Sequence, residues 1–432
     1  MKIYEYKKDN LKLLLEALNK RSPEGQAEVE KITAEIIRNV KECKDDALIE
    51  YGKKFEGAEL TADTIEVSQD EIQKAFDSVD VNLLEVIKKA AANIRAYHEK
   101  QLEKSWFTSR HPGILLGQKI TPLSRVGVYA PAGSAPLPST VLMDVIPAKV
   151  AGVEEVILCS PPDMDGKVDP MILACAKLAG ADRVFRAGGA QAIAAMAYGT
   201  KTIPRVDKIV GPGNIYVATA KKMVFGVCGI DMIAGPSEIL IIADETANPA
   251  YVAADLLSQA EHDKLASSIL LTTSRKLAQK VSKEVKEQLA RLSRAETAAE
   301  SLKNYGAIIV TDTIYQALEI SNMIAPEHLE VCTENPFDLL PAIKNAGAIF
   351  LGNYSPEPLG DYFAGPNHTL PTSGTARFFS PLGVYDFIKR QSVISYSRDA
   401  FYAASSDVAE FARAEGLTAH AEAIRIRTEN KD

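Results

Sequence analysis

Cysteine is scarce in this chain of 432 residues. There are five, odd in number and scattered at Cys43, Cys159, Cys175, Cys228 and Cys332, and none forms a Cys-x-x-Cys pair. That spacing argues against a disulfide framework and a cysteine zinc knuckle, and for reduced thiols in a cytoplasmic setting. Long apolar runs are missing as well: none approaches the roughly eighteen residues a membrane span needs. The opening MKIYEYKKDN has no apolar core, so no secretory signal is expected. Positive charge is not in excess: 49 Lys and Arg stand against 57 Asp and Glu, a net charge of −8. Neither a nucleic acid nor an anionic membrane is therefore expected as a partner. Neither G-x-G-x-x-G nor a G-x-x-x-x-G-K-[ST] phosphate loop occurs.

What is present reads as a multi-domain α/β protein. The first hundred residues look helical; Leu83, Leu84, Val86, Ile87, Ala90, Ala91, Ile94 and Tyr97 recur at helical spacing, with Asn82 as the expected cap. From Arg125 onward short apolar runs alternate with amphipathic stretches. One strand series is expected at 126–130, 155–159, 183–186 and 207–210, a second at 238–243, 268–273, 307–311 and 348–351. Two series of about four strands favour two doubly wound, incomplete Rossmann-like parallel-sheet domains over one eight-stranded barrel, with helical N- and C-terminal tail segments. The last helix is expected over 406–416, ending at Gly416.

The chemistry-bearing candidates fall at loops. Gly188-Gly189-Ala190-Gln191, Gly211-Pro212-Gly213-Asn214 and Gly235-Pro236-Ser237-Glu238 are turns next to strands, where helix N-termini meet polar or phosphate-bearing ligands. The stretch from Gly360 to Phe378 lacks aliphatic periodicity yet carries Asp361, Asn367, His368 and Arg377, the mark of a functional loop. Of the six histidines, His98 and His111 read as solvated, and so does His420 in the tail. Gln259 and His262, three apart, share the end of one helix face. Glu327 beside His328 reads equally as an acid/base pair or as two exposed polar residues at a turn. From the residues alone, a metal or acid/base site would draw on Asp361, His262, His368 and the Glu327–His328 pair; Gln259 would not be chosen, since an amide oxygen is a weak zinc donor.

Longer motifs resemble the histidinol dehydrogenase family: RVGVYAPAGSAPLPSTVLM (125–143), GGAQAIAA (188–195), VDKIVGPGN (206–214), DMIAGPSEILIIAD (231–244), DLLSQAEHD (255–263), APEHLE (325–330), the 360–378 loop and EGLTAH (415–420). The resemblance covers nearly the whole chain. It implies one zinc per subunit on Gln259, His262, Asp361 and His420, reversing the first reading of Gln259 and His420. It implies Glu327 and His328 as the catalytic pair, and substrate contacts at Ser237, Gln259, His262, His328, Asp361, Glu415 and His420, with His368 a further contact. NAD contacts fall on Tyr129, Gln191 and Asn214. The family is a homodimer in which one subunit's tail completes the other's site. The implied domains are 26–128 with 238–380, then 129–237, with 1–25 and 381–432 as dimerising tails. One departure is Ala132, where relatives often carry glycine.

The implied reaction takes L-histidinol to L-histidine through L-histidinal, with both hydrides going to NAD. Two routes exist for the aldehyde step: water activated by Glu327, or a thiohemiacetal on Cys332. Leu329, Val331 and Cys332 read as a buried segment, which favours water. A zinc hydrolase would not need the glycine turns, and a two-lobed binding protein would normally carry an export signal.

Overall fold

The computed structural model describes residues 1–19, 21, 27–132 and 136–429. The part of the first motif at 133–135 and the expected tail boundary near residue 25 lie outside the described residues. The chain divides into two compact units, residues 1–101 with 123–387 and residues 102–122 with 388–432.

The larger unit contains two parallel sheets. Across the first, the strands run Arg183–Arg186, Glu155–Ser160, Arg125–Tyr129, Lys208–Val210 and Gly229–Ile230. In chain order this is 3-2-1-4-5, the doubly wound arrangement, with its switch point between Arg125–Tyr129 and Lys208–Val210. Across the second, the order is Lys2–Glu5, Gly306–Val310, Ser267–Thr272, Glu238–Ala243, His328–Cys332 and Ala348–Leu351. Leaving aside the N-terminal edge strand, that too is 3-2-1-4-5. Its switch point lies between Glu238–Ala243 and His328–Cys332.

Strand composition explains the layers. Glu238–Ala243 is buried along its whole length, and its side chains alternate between two cores. Ile239 and Ile241 pack with Val252 and Leu256 of helix Pro249–Ala260 on one face, while Leu240 and Ile242 pack with Leu318 and Ile320 of helix Ile314–Ile324 on the other. Each such aliphatic side chain contributes about 1.5–3 kcal/mol on burial. The five-stranded sheet is clad the same way, with Val126 and Val128 facing helix Pro138–Val150, and Ile157 and Cys159 facing helix Gly189–Tyr198.

The smaller unit is an antiparallel sheet in which Ile114–Pro122 lies between Ile388–Tyr396 and Trp106–Thr108, followed by helices Arg398–Ala414 and Thr418–Glu429. The expected all-helical character after Phe378 therefore misses a nine-residue strand. Three strands of the larger unit were also missed: Lys2–Glu5, which pairs with Gly306–Val310, Gly229–Ile230, which pairs with Lys208–Val210, and His328–Cys332. Helix Val81–Glu99 is capped by Asp80, whose Oδ1 accepts from the Asn82 and Leu83 N–H groups, rather than by Asn82. The long C-terminal helix starts after Ser397, and Gly416 sits just beyond its end with φ 75°. No helix among the described residues is long and apolar enough to cross a membrane.

Candidate active site

At the five-stranded sheet the glycine turns gather around one cavity of about 880 Å3, lined in part by Tyr129, Gln191 and Asn214. Tyr129 ends its strand, and its hydroxyl accepts the Gly189 N–H at 3.0 Å. Asn214 caps helix Ile215–Val224; its Oδ1 accepts from Tyr216 N at 3.0 Å and Val217 N at 3.1 Å, which leaves its NH2 available. Gly211 adopts φ 112°, and a Cβ there would overlap the Tyr129 carbonyl, so only glycine fits this turn. The turn is held from below: Lys221 Nζ donates to Gly211 O at 2.8 Å and pairs with Asp231, whose Oδ2 accepts the Gly211 N–H at 2.9 Å.

The second cluster forms at the opposite end of its sheet, where strands begin. Glu327 and His328 stand at the start of one strand and Glu238 at the start of its neighbour, with Ser237 immediately before it. His328 Nδ1 lies 3.0 Å from the Glu238 carbonyl oxygen, which can only accept, so this nitrogen carries the proton and donates it. Its Nε2, on the other side of the ring, is buried and faces Asp361. Glu327 Oε2 accepts the Glu238 N–H at 2.8 Å and lies 3.6 Å from His328 Nδ1. Arg21 in turn forms a buried ion pair with Glu238.

Asp361 reaches this cluster from the 360–378 loop, which opens with a helical turn over Gly360–Ala364. Its Oδ1 is 3.8 Å from His328 Nε2 and 4.0 Å from His368 Nδ1. The loop also grips the five-stranded sheet. Asn367 Nδ2 donates to Met143 O at 2.6 Å, Thr369 Oγ1 donates to Asp144 Oδ1 at 2.8 Å, and His368 Nε2 lies 3.5 Å from Thr140 Oγ1. From the other side come Gln259, in the last turn of helix Pro249–Ala260, and His262, whose N–H donates to Gln259 O at 3.2 Å. Gln259 is only 1% exposed, and its Oε1 has no partner.

The electrostatics prepare these groups differently. Burial alone would raise Asp361, but the neighbouring His328, and then the nearby His368 ring, hold its carboxyl well below the usual range. Burial lowers the pKa of His262 and of His368, against the pull of Asp361, so both stay neutral. Burial also opposes charge on His328, yet Glu327 and Asp361 outweigh it and carry its pKa up to about 10. Burial lifts Glu327 to about 8, with His328 opposing.

The larger unit thus brings together His262, Glu327, His328, Asp361 and His368, with Gln259 one turn before His262 and Ser237 next to Glu238, and it sets Tyr129, Gln191 and Asn214 around the cavity. Glu415, at the end of helix Arg398–Ala414, and His420, in helix Thr418–Glu429, are exposed residues of the smaller unit. Among the described residues, the tightest group of possible His, Cys, Asp or Glu metal donors is His328, Glu357 and Asp361, whose ligand atoms lie within 4.8 Å of one another. Glu357 was not picked from the sequence. Burial and then Asp361 push its pKa up to about 8, so at neutral pH it is mainly a proton donor beside Asp361. Glu330 was missed too; it is buried beside Asp255, and its Oε1 accepts the Glu357 N–H at 2.8 Å. A lone Glu within the apolar run Leu329–Cys332 was the available signal. His98 corrects the expectation of a solvated residue: it is fully buried, with Nδ1 2.8 Å from Gln101 Oε1. Its position four residues after Ile94 continues the buried stripe of that helix.

Comparison with known proteins agrees over the whole length. The family model for histidinol dehydrogenase matches residues 19–428. The chain is 56% identical over 429 residues to a histidinol dehydrogenase of Aquifex aeolicus (strain VF5), covering 99% of each chain. It is 55% identical over 403 residues to that of Bacillus subtilis (strain 168), covering 93% of this chain and 94% of the relative. The crystal structure of histidinol dehydrogenase from Elizabethkingia anophelis superimposes with a TM-score of 0.93 at 42% identity, covering 99% of this chain and 98% of that one.

Proposed function

The chain belongs to the histidinol dehydrogenase family, and on that premise we propose that it oxidises L-histidinol to L-histidine through L-histidinal, with two NAD+ reduced, one water consumed and zinc held in the site. The observation that carries the reading is the convergence of donors in complementary states. Gln259 offers a buried oxygen with no other partner, His262 is kept neutral, and Asp361 is kept ionised. These are states in which nitrogen and oxygen donors accept zinc. We assign the metal to Gln259, His262, Asp361 and His420, rather than to the tighter group with His328 and Glu357, because His328 has a base's role and without it that group keeps no nitrogen donor. When bound, zinc supplies a positive charge that anchors the substrate's imidazole and amine and offsets the carboxylates around His328.

His328 is the proton acceptor. Its Nδ1–H is committed to the Glu238 carbonyl, so Nε2, in the neutral form of the ring, is the nitrogen that takes the alcohol proton as hydride leaves carbon. Glu327, fixed by the Glu238 N–H, takes in its ionised form a proton from the water that adds to the aldehyde; the neutral His328 ring then receives the proton of the hydrate. Ser237 and His368 border the substrate. Tyr129, Gln191 and Asn214 hold NAD, whose nicotinamide is the hydride acceptor in both steps. A thiohemiacetal on Cys332 is disfavoured: four residues along an extended strand separate it from His328, roughly 13 Å, and burial keeps its thiol protonated.

The exposed tail residues Glu415 and His420 fit a cytoplasmic homodimer in which the tail of each subunit completes its neighbour's site. Residues 26–128 with 238–380 would then carry the metal, 129–237 the cofactor, and 1–25 with 381–432 the contact between subunits. Absorbance of NADH on adding L-histidinol and NAD+ to the purified protein tests the reading. Two NADH per histidinol support it; none, or one with aldehyde released, would sink it.

A further inference from the structure

In a doubly wound sheet the dinucleotide straddles the switch point, with its adenosine half over strands 1 to 3 and its pyrophosphate against a helix N-terminus. Here strand 3 is Arg183–Arg186, and Gly188 and Gly189 open the helix that follows it. Two of the N–H groups at that helix start are already taken. Gly189 donates to the Tyr129 hydroxyl, and Gly188 donates to the carboxylate of Glu56. Glu56 ends a helical turn over Gly52–Glu56, which leads straight on from helix Asp45–Tyr51. A second donor, Gln191 Nε2, reaches Glu56 Oε1 at 3.2 Å. A Cβ on Gly188 would overlap that same oxygen, so the glycine is what lets the carboxylate in. An acid therefore stands at this helix start, on the wall of the cavity that Tyr129, Gln191 and Asn214 also line.

Resting on the NAD reading of this cavity, we infer that Glu56 is a specificity-determining residue, its carboxylate selecting a dinucleotide without a 2′-phosphate. Among the described residues the same wall carries Glu35 and a single lysine, Lys54; burial lifts Glu56 to about 7, so an added phosphate dianion meets Glu35 and a partly ionised Glu56 against one ammonium. Rejection by like charge is a recurrent way to separate two otherwise identical ligands. A carboxylate near the adenosine half also accepts the ribose hydroxyls that the 2′-phosphate replaces.

The test compares kcat/KM for NAD+ and for NADP+ at saturating L-histidinol. Glu56→Gln keeps the shape and can still accept from Gly188 and Gln191, but removes the charge. The NAD+-over-NADP+ ratio is expected to fall about tenfold or more, through a lower KM for NADP+. Glu56→Arg should lower the ratio further. A ratio unchanged in both variants, with zinc content and melting temperature like the parent's, overturns the inference. Should neither variant fold, Gly188→Ala displaces the intact carboxylate and must lower the ratio, and an unchanged ratio there is equally fatal. Calorimetric titration of NAD+ into the parent protein separates the two levels: no binding would remove the NAD reading itself, whereas binding with an unchanged ratio removes only the role of Glu56.

Discussion

The two parallel sheets share one strand order and are used from opposite ends. The five-stranded sheet presents the carboxyl ends of its strands, where helices begin. Backbone N–H groups, Gly211 at φ 112° and the Asn214 cap make a surface for a polar, phosphate-bearing molecule. The six-stranded sheet presents its strand starts. There helix Pro249–Ala260 ends, the Glu238 carbonyl accepts from His328, and Gln259, His262 and Asp361 converge. A helix C-terminus and exposed carbonyls carry partial negative charge and suit a cation. One topology therefore offers an anion-friendly end and a cation-friendly end, and the 360–378 loop touches both, through Asp361 at one and through Asn367 and Thr369 at the other.

If the two ends are separate devices, damage at one should spare the other. The largest effect is expected from His262→Ala, which removes a proposed metal donor. Zinc measured by mass spectrometry should fall well below one per chain and turnover by more than about 100-fold, while NAD+ titration remains near the parent's. Loss of NAD+ binding in parallel would break the comparison. Glu327→Gln comes next, with aldehyde oxidation expected to fall about 100-fold and alcohol oxidation less. Equal losses in both half-reactions would remove its water-activating role.

The smallest effect concerns the seam between the ends. Burial, then Asp231, lifts Asp144 to about 8, against the hydrogen bond from Thr369 and the charge of Lys221. Its folded pKa thus lies above its unfolded value of 3.8. The stability it lends as a neutral acid is complete below about pH 4 and is lost as the pH rises toward 8. Asp144→Asn should flatten that decline, by on the order of 1 to 3 kcal/mol between pH 5 and pH 8, read from thermal melts at the two values. An identical decline in the variant would show that Asp144 does not titrate there.

Much of this was legible in the chain. The alternation of β-branched runs with amphipathic stretches announced both sheets, because a strand buried on two faces must be apolar throughout. The glycine turns marked the rim of the cavity at the five-stranded sheet, because a positive φ next to a carbonyl, as at Gly211, leaves glycine as the only choice. Three things stayed hidden. His328–Cys332 was not read as a strand because Glu330 interrupts its apolar run, and Glu330 is tolerated only beside Asp255 and the Glu357 N–H. Lys2–Glu5 and Ile388–Tyr396 are strands by virtue of partners far away in sequence. His98 looked polar because its burial depends on what packs over its helix.

The sequence by itself determined the fold class, the family and the identity of the groups available for chemistry, since these follow from local patterns and long ordered motifs. Only the tertiary structure decided what state those groups are in. Whether Gln259 offers a free oxygen, Asp361 keeps its charge, His328 faces Asp361 through Nε2 or Glu56 fills the start of a helix depends on which neighbours are brought within a few ångströms. The energies that set those states, desolvation and short-range charge, fall off over that same distance.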